Sequence, residues 1–338
     1  MKRLGIFFTL ISALVLGATT VSAQTLKAVN ERGVLNCGVS QGLIGFSSSD
    51  DKGNWSGFDV DFCRALSAAI FNDPSKVKFV PLSADERFPA LKSGSIDVLS
   101  RNTTWTMSRE TLLGVTFSAI TYYDGQGFLV RKALKIDTAL ELDGKSVCTQ
   151  TGTTSMLNLA DYFRSNKMKY DVVAAPNSDA MLKAYDADQC KVLTSDISQL
   201  HAEKLKLARA DDHIILPEII SKEPLGPAVR QGDDQWSNIV KWTHYAMVNA
   251  EELGVNSRTV DQALKSEKPD VMRLVGIDGN YGEQLGLTKD WIVRIVSNVG
   301  NYGEVFEKNV GTGSRLGIPR GINNLWSTGG LQYAPPIR

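Results

Sequence analysis

The sequence has no surplus of either charge: 37 basic side chains stand against 37 acidic ones in 338 residues. Nucleic acids and anionic membranes are held by a basic excess, so neither is an expected partner. Histidine is scarce. His201, His213 and His244 are the only three, and none is spaced to share a metal or complete a triad. No G-x-S-x-G, H-E-x-x-H or Walker loop occurs, which removes the commonest hydrolase and nucleotide signatures. With 29 Gly, 11 Pro and 43% hydrophobic residues, the chain is neither fibrous nor disordered. After the first 23 residues no apolar run reaches a membrane-spanning length. What remains is a globular chain of about two domains, with no metal, cofactor or catalytic constellation expected.

The beginning of the chain has a different character. Lys2 and Arg3 precede the apolar stretch Leu4–Leu16, and Val21-Ser22-Ala23 offers small residues before Gln24. This three-part pattern predicts a secretory signal peptide over residues 1–23, too short to span a bilayer. Its loss would leave 35 basic against 37 acidic residues. No cysteine follows the apolar stretch to carry a lipid, so the expectation is export and release.

Export makes the cysteines informative. Four cysteines in an oxidising compartment suggest two disulfides, with three pairings open. Joining neighbours gives Cys37–Cys63 and Cys148–Cys190. The other use, metal ligation, lacks both a C-x-x-C and a nearby histidine.

Hydrophobic spacing then organises the chain. Val34–Val39, Val77–Leu82 and Ile96–Leu99 read as strands. Between them, Phe58, Phe62, Ala65, Leu66 and Ala69 make one face of a helix, with Asp59 and Asp61 in its first turn. Phe88–Leu91 starts a short helix closed by Gly94. The alternation restarts with strands at Ser146–Thr149, Tyr170–Ala174 and Lys191–Thr194, separated by helices after Gly152 and over Asp179–Tyr185. Two such α/β units imply two parallel sheets covered by helices. The chain passes between them at Tyr122–Gly127 and returns near Ile220–Pro227, which predicts a hinge and a cleft between the sheet ends. Gly-Asn-Tyr-Gly-Glu occurs twice, at 279–283 and 300–304, and reads as breaks between helices.

Three places in that cleft attract chemistry. Thr106 can cap a helix that begins after Trp105, putting Arg109 in its first turn, where a cation opposes the helix dipole. The placement is useful if Arg109 and backbone N–H groups near Thr104 share a carboxylate; a solvated arginine is the other reading. The turn Gln150-Thr151-Gly152-Thr153-Thr154-Ser155 leads from a strand into a helix N-terminus and suits an anion, or only capping by Thr154 or Ser155. Asp196 lies past a strand end, ready for a cation or another helix cap. Together they describe a receptor for a zwitterion, such as a free amino acid.

These residues resemble a known family, the polar-amino-acid group of periplasmic solute-binding proteins that deliver substrate to ABC importers. The likeness is carried by Gly57-Phe58-Asp59-Val60-Asp61-Phe62, the Thr104–Arg109 turn, Gly152-Thr153-Thr154 and Asp196. Ser100–Thr106, Tyr123–Phe128 and Ser221–Pro227 are similar to the general L-amino-acid-binding subgroup. The resemblance implies an α/β, two-lobed periplasmic-binding-protein fold of type II. Each lobe would be a mainly parallel sheet with helices on both faces, and two strands would form the hinge. Lobe 1 would comprise residues 24–123, lobe 2 residues 124–221, and residues 222–338 a return to lobe 1 plus a C-terminal extension. Relative to shorter members, roughly residues 250 to 295 would be an insertion.

On the same basis Arg109 would hold an α-carboxylate and Asp196 an α-ammonium. Thr104, Thr153, Thr154 and Gln150 would add hydroxyl, amide or turn contacts, and Asn102 a further one. Ser40 or Gln41 stands where relatives have an acid, and Leu43 or Phe46 where they have an aromatic platform. A monomeric periplasmic protein that closes on free L-amino acids and hands them to a membrane permease follows. A γ-glutamyl peptide such as glutathione is the alternative ligand, with Arg87 or Arg101 on its distal carboxylate. A cyclic-acid dehydratase is a third reading and would need Glu86 or Glu223 as acid or base.

Overall fold

A computed structural model describes residues 25–338; the signal segment expected at residues 1–23 lies outside the described residues. The first half of the chain runs β1 (Leu35–Val39), α1 (Phe58–Phe71), β2 (Val77–Pro81), α2 (Arg87–Ser93), β3 (Val98–Leu99), α3 (Met107–Leu112), β4 (Val115–Phe117) and β5 (Tyr122–Asp124). The second unit follows as β6 (Gln126–Arg131), β7 (Lys145–Gln150), α4 (Thr154–Ser165), β8 (Tyr170–Ala175), α5 (Ser178–Asp186), β9 (Val192–Asp196), α6 (Ile197–Lys204) and β10 (His213–Ile215). The chain then returns through β11 (Glu223–Leu225) and β12 (Ala228–Arg230) into the long α7 (Asp234–Glu252).

The strands form two five-stranded sheets, ordered β2-β1-β3-β12-β4 and β8-β7-β9-β6-β10. Within each, the strands that alternate with helices are parallel. β12 and β6 are antiparallel to their neighbours, so each sheet is mixed and not wholly parallel. Both are the strand that follows a crossing between lobes. The chain arrives at the cleft end of the sheet, where the parallel strands finish, and must run away from it. The crossings themselves pair as an antiparallel ribbon, β5 with β11, placing Glu223 opposite Asp124 and Leu225 opposite Tyr122.

Burial follows the two periodicities. The face of α1 that carries Phe58, Phe62, Ala65, Leu66 and Ala69 is buried. Its start is possible because Gly57 adopts φ 132°; a Cβ there would meet the Phe46 carbonyl oxygen at 2.1 Å. Along β6, Phe128 and Val130 enter one core of the second lobe while Leu129 enters the other, because α4 and α5 cover opposite faces of that sheet.

The C-terminal part adds to the first lobe. α9 (Trp291–Asn298) buries Trp291, Ile295 and Val296 in the same core as α1 and α7. The repeated pentapeptides start helices: α8 (Tyr281–Leu285) and α10 (Tyr302–Asn309). Only the second is a full capping box, with Asn301 accepting from the Glu304 N–H and Glu304 from the Asn301 N–H. In the first, Asn280 Oδ1 is bonded by the Gln284 side chain instead. Past α10 the chain reaches the hinge. The Asn323 amide exchanges hydrogen bonds with the Tyr123 N–H and carbonyl at 2.7 and 2.9 Å, bracing β5.

Both disulfides pair as neighbours in sequence. Cys37–Cys63 joins β1 to α1, and Cys148–Cys190 joins β7 to the residue pair before β9. The second closes a separation of 42 residues. Replacing both of its cysteines by serine is expected to lower the unfolding free energy by about 4 kcal/mol from loop entropy, read by urea denaturation.

Candidate functional site

The C-terminal ends of β3, β7 and β9 face one another across the cleft. Arg101, Asn102 and Thr104 follow β3, and Arg87 begins α2. Gln150 ends β7, Thr153 and Thr154 follow it, and Asp196 closes β9. All nine residues that the sequence nominates line one small cavity, together with Ser155, Ser195 and Gln199.

The first-lobe wall is held from behind by Asp59. Its buried carboxylate accepts from the Asn102 N–H at 2.9 Å and the Ser100 hydroxyl at 3.2 Å. Burial raises its pKa to about 6, against those donors and the Arg101 charge. The family-like acid in the first turn of α1 therefore fixes the binding turn as well as meeting the helix dipole. Asn102 sits there at φ 26°, a conformation Asn tolerates better than most residues.

Three guanidinium groups converge. Arg109 lies on the turn capped by Thr106 and donates Nη1 to the Thr104 carbonyl at 2.7 Å. Arg101 gives Nε to the Leu82 carbonyl at 2.9 Å. Arg87 gives Nη2 to the Gly152 carbonyl at 3.0 Å, across the cleft. Burial lowers the pKa of all three, that of Arg101 to about 10, and the neighbouring guanidiniums push Arg87 and Arg101 down further. Such mutual repulsion is relieved by an anion.

Opposite them stands Asp196. It occupies the N-cap of α6 but makes no side-chain cap, which removes the capping reading. The residue is 6% exposed, and its carboxylate belongs to no hydrogen bond or ion pair among the described residues. Burial, then the charges of Asp124 and Glu223, raise its pKa well above the usual carboxylate range. Thr153 is likewise an N-cap without a cap bond, since its hydroxyl turns back to the Gln150 carbonyl at 2.7 Å. The first-turn N–H groups of α4 are thus left to face the cavity's side of the turn.

Several nominated side chains have partners within the protein, which corrects the readings of Glu86, Glu223 and Phe46 and leaves Thr104 and Thr154 their backbone amides for a ligand. The hydroxyls of Thr104 and Thr154 are taken up by Glu223 Oε2, at 2.5 and 2.9 Å. Glu223 also accepts from Asn158 and Ser221, both at 2.6 Å, so it locks the hinge region and is not a poised base. Glu86 is bonded to Ser83 at the start of α2 and lines none of this cavity. Phe46 is no ligand platform; it packs edge-on against Phe58 and Tyr122 because the Gly45–Gly57 crossing draws it into the core. Leu43, Ser40 and Gln41 do reach the cleft.

Sequence reasoning missed Gln199 and Lys206. Gln199 lies one turn past Asp196 on the same helix, and that spacing was the available signal. Its Oε1 meets the Asn102 amide at 3.4 Å, and Lys206 Nζ reaches the Gly42 carbonyl at 3.0 Å. With Arg87–Gly152 and Thr151–Asp85, these contacts tie the lobes in a closed arrangement. Gly152 permits the approach: a Cβ there would sit 2.0 Å from Asp85 Oδ1. Gly152→Ala is expected to weaken closure by about 1 kcal/mol, roughly a fivefold fall in ligand affinity by calorimetry. The backbone strain at its φ of 70° is common to open and closed forms and cancels.

Residues 35–259 match the bacterial extracellular solute-binding proteins, family 3. The chain belongs to that family. It is 56% identical to the General L-amino acid-binding periplasmic protein AapJ of Rhizobium johnstonii, over 97% of this chain and 96% of that one. The glutamate/glutamine/aspartate/asparagine-binding protein BztA of Rhodobacter capsulatus is 47% identical over 100% of both chains. An ABC transporter / periplasmic binding protein from Brucella ovis, solved with glutathione bound, superposes with a TM-score of 0.92 at 55% identity, covering 94% of this chain and 100% of that one. These matches extend well past residue 259, so the C-terminal helices are shared with such relatives. The chain is a periplasmic, non-catalytic binding protein that closes on a small polar ligand for an ABC importer.

Proposed function

We propose that the preferred ligand is a γ-glutamyl peptide of the glutathione type, with free L-amino acids as weaker, head-only ligands. The observation that carries this is the crowding of two buried guanidiniums, Arg87 and Arg101, and the half-buried one of Arg109 around a carboxylate that has no partner among the described residues. A peptide with two carboxylates and one ammonium supplies what that set lacks, whereas a neutral amino acid supplies one carboxylate only. The Brucella ovis relative with glutathione supports the same reading.

In this scheme Arg109 takes the α-carboxylate and Asp196 the α-ammonium. Amides at the Thr104 and Thr154 turns, with Asn102, Thr153 and Gln150, complete the head contacts. Residues 24–123 and 222–338 rotate against 124–221 about the β5–β11 ribbon, and the closed monomer is what the permease meets. Names such as that of AapJ favour the second reading, a general L-amino-acid receptor. Calorimetry on unfolded and refolded protein decides. Glutathione binding tighter than glutamate, glutamine and leucine supports the peptide reading; comparable affinity for many L-amino acids, with none for glutathione, overturns it.

A further inference from the structure

The cavity between Arg109 and Asp196 measures about 20 Å³, and on three of its lining residues it meets a much larger one. That groove holds about 450 Å³, within the range of small-molecule sites, and shares Arg101, Gln150 and Gln199 with the head cavity. It lies between the Ser40–Leu43 loop of the first lobe and the N-terminal end of α5 in the second.

Its walls are built for a polar guest. Arg101 and Gln150 are each 6% exposed. The two Nη groups of Arg101 and the Gln150 side-chain amide make no hydrogen bond among the described residues, although Arg101 Nε is anchored on the Leu82 carbonyl. These donors open onto the groove and are free to bond a guest that accepts from them. At the mouth, Lys183 is exposed and forms no ion pair among the described residues. Asp179, the acid in the lining, is engaged by Lys206 at 3.2 Å. The free charge presented to the groove is therefore positive.

We propose that this groove is a second subsite, taking the distal, carboxylate-ended arm of a γ-linked peptide, with Arg101 and Gln150 at its inner end and Lys183 at its mouth. It rests on the γ-glutamyl reading above and assigns the part of the molecule that a head-group receptor leaves unread. Free glutamate reaches the inner end only. Selectivity for the peptide then comes from Lys183 and the loop opposite it, and not from the head contacts.

The test is a calorimetric series on the whole mature protein and two variants, Lys183→Glu and Lys183→Arg. The ligands are glutamate, glutathione and glutathione amidated on its glycine carboxylate. The subsite predicts that Lys183→Glu weakens glutathione about tenfold, that Lys183→Arg restores it, and that glutamate is unmoved. Amidated glutathione binds the unaltered protein about tenfold more weakly and loses nothing further in Lys183→Glu. Thermal unfolding checks that the exposed substitution leaves the fold intact. Equal glutathione affinity in both variants, or equal losses for glutamate and glutathione, overturns the subsite alone. No glutathione binding to the unaltered protein overturns the peptide reading and the subsite together.

Discussion

Arg109→Ala is expected to lower affinity for every α-amino-acid ligand by at least a hundredfold, measured by calorimetry at neutral pH. The guanidinium is partly buried and anchored through Nη1 on the Thr104 carbonyl, so its remaining donors are pre-oriented. Truncating one member of a desolvated, hydrogen-bonded charge pair costs about 2–5 kcal/mol, because the ligand carboxylate would be left buried and unpaired. The fold should survive, since α3 is short and solvent-facing and its cap comes from Thr106 to the Arg109 backbone N–H, which alanine retains. A loss confined to large ligands would mean that Arg109 serves the side chain and not the head.

Asp196→Asn is expected to act in two opposite directions. Ligand affinity should fall about a hundredfold, through loss of the carboxylate–ammonium pair. The ligand-free protein should become more stable by about 1 kcal/mol or more, because a buried carboxylate without a partner is costly to ionise. The sign with pH follows. A folded-state pKa above the unfolded one means the penalty is absent below the unfolded pKa and complete above the folded one. The stabilisation by asparagine therefore grows as pH rises through that window.

Binding runs the other way. The ammonium prefers the ionised carboxylate, so affinity is full above the raised pKa and declines as pH falls below it. In that range complex formation releases a proton, seen as a dependence of calorimetric heat on buffer ionisation enthalpy. Asp196→Asn should abolish both the pH dependence and the proton release. If the unaltered protein shows neither, the ammonium does not sit at Asp196.

Much of the local structure was open to sequence reasoning because its causes are local. Thr106 does cap the helix that carries Arg109, and the apolar face of α1 is the buried one. Gly94 ends α2 in the left-handed conformation. Strand-end placement brought Arg109, Thr154 and Asp196 together, because α/β sheets present those ends to one crevice. Some expectations rested on short-range competition that the fold settled otherwise. Asp196 had an ordinary local use as a helix cap, and so did the Gly152 turn; in the folded chain neither is used that way.

The roles that escaped notice depend on distant partners. Glu223 meets Thr104 across 119 positions and Thr154 across 69, so nothing near any of them in the sequence announces the lock at the hinge. Phe46, with Leu43, stood where the resemblance places an aromatic platform, yet aromatic packing against Phe58 and Tyr122 claims it. Asn323 braces the hinge from 200 residues away. The direction of β6 and β12 also depended on where the chain arrives, which no strand propensity encodes.

By itself the sequence determined the α/β alternation and the two lobes; it favoured the neighbouring disulfide pairs among three and pointed to a zwitterion as the guest of the cleft. Each of these depends on periodicity, on a short spacing or on a residue type at a strand end. The tertiary structure alone decided that three arginines share one space, that Asp196 has no partner among the described residues, and that a groove continues from the head cavity toward Lys183. Those features arise where two lobes meet, and desolvation, which sets their strength, exists only once both walls are in place.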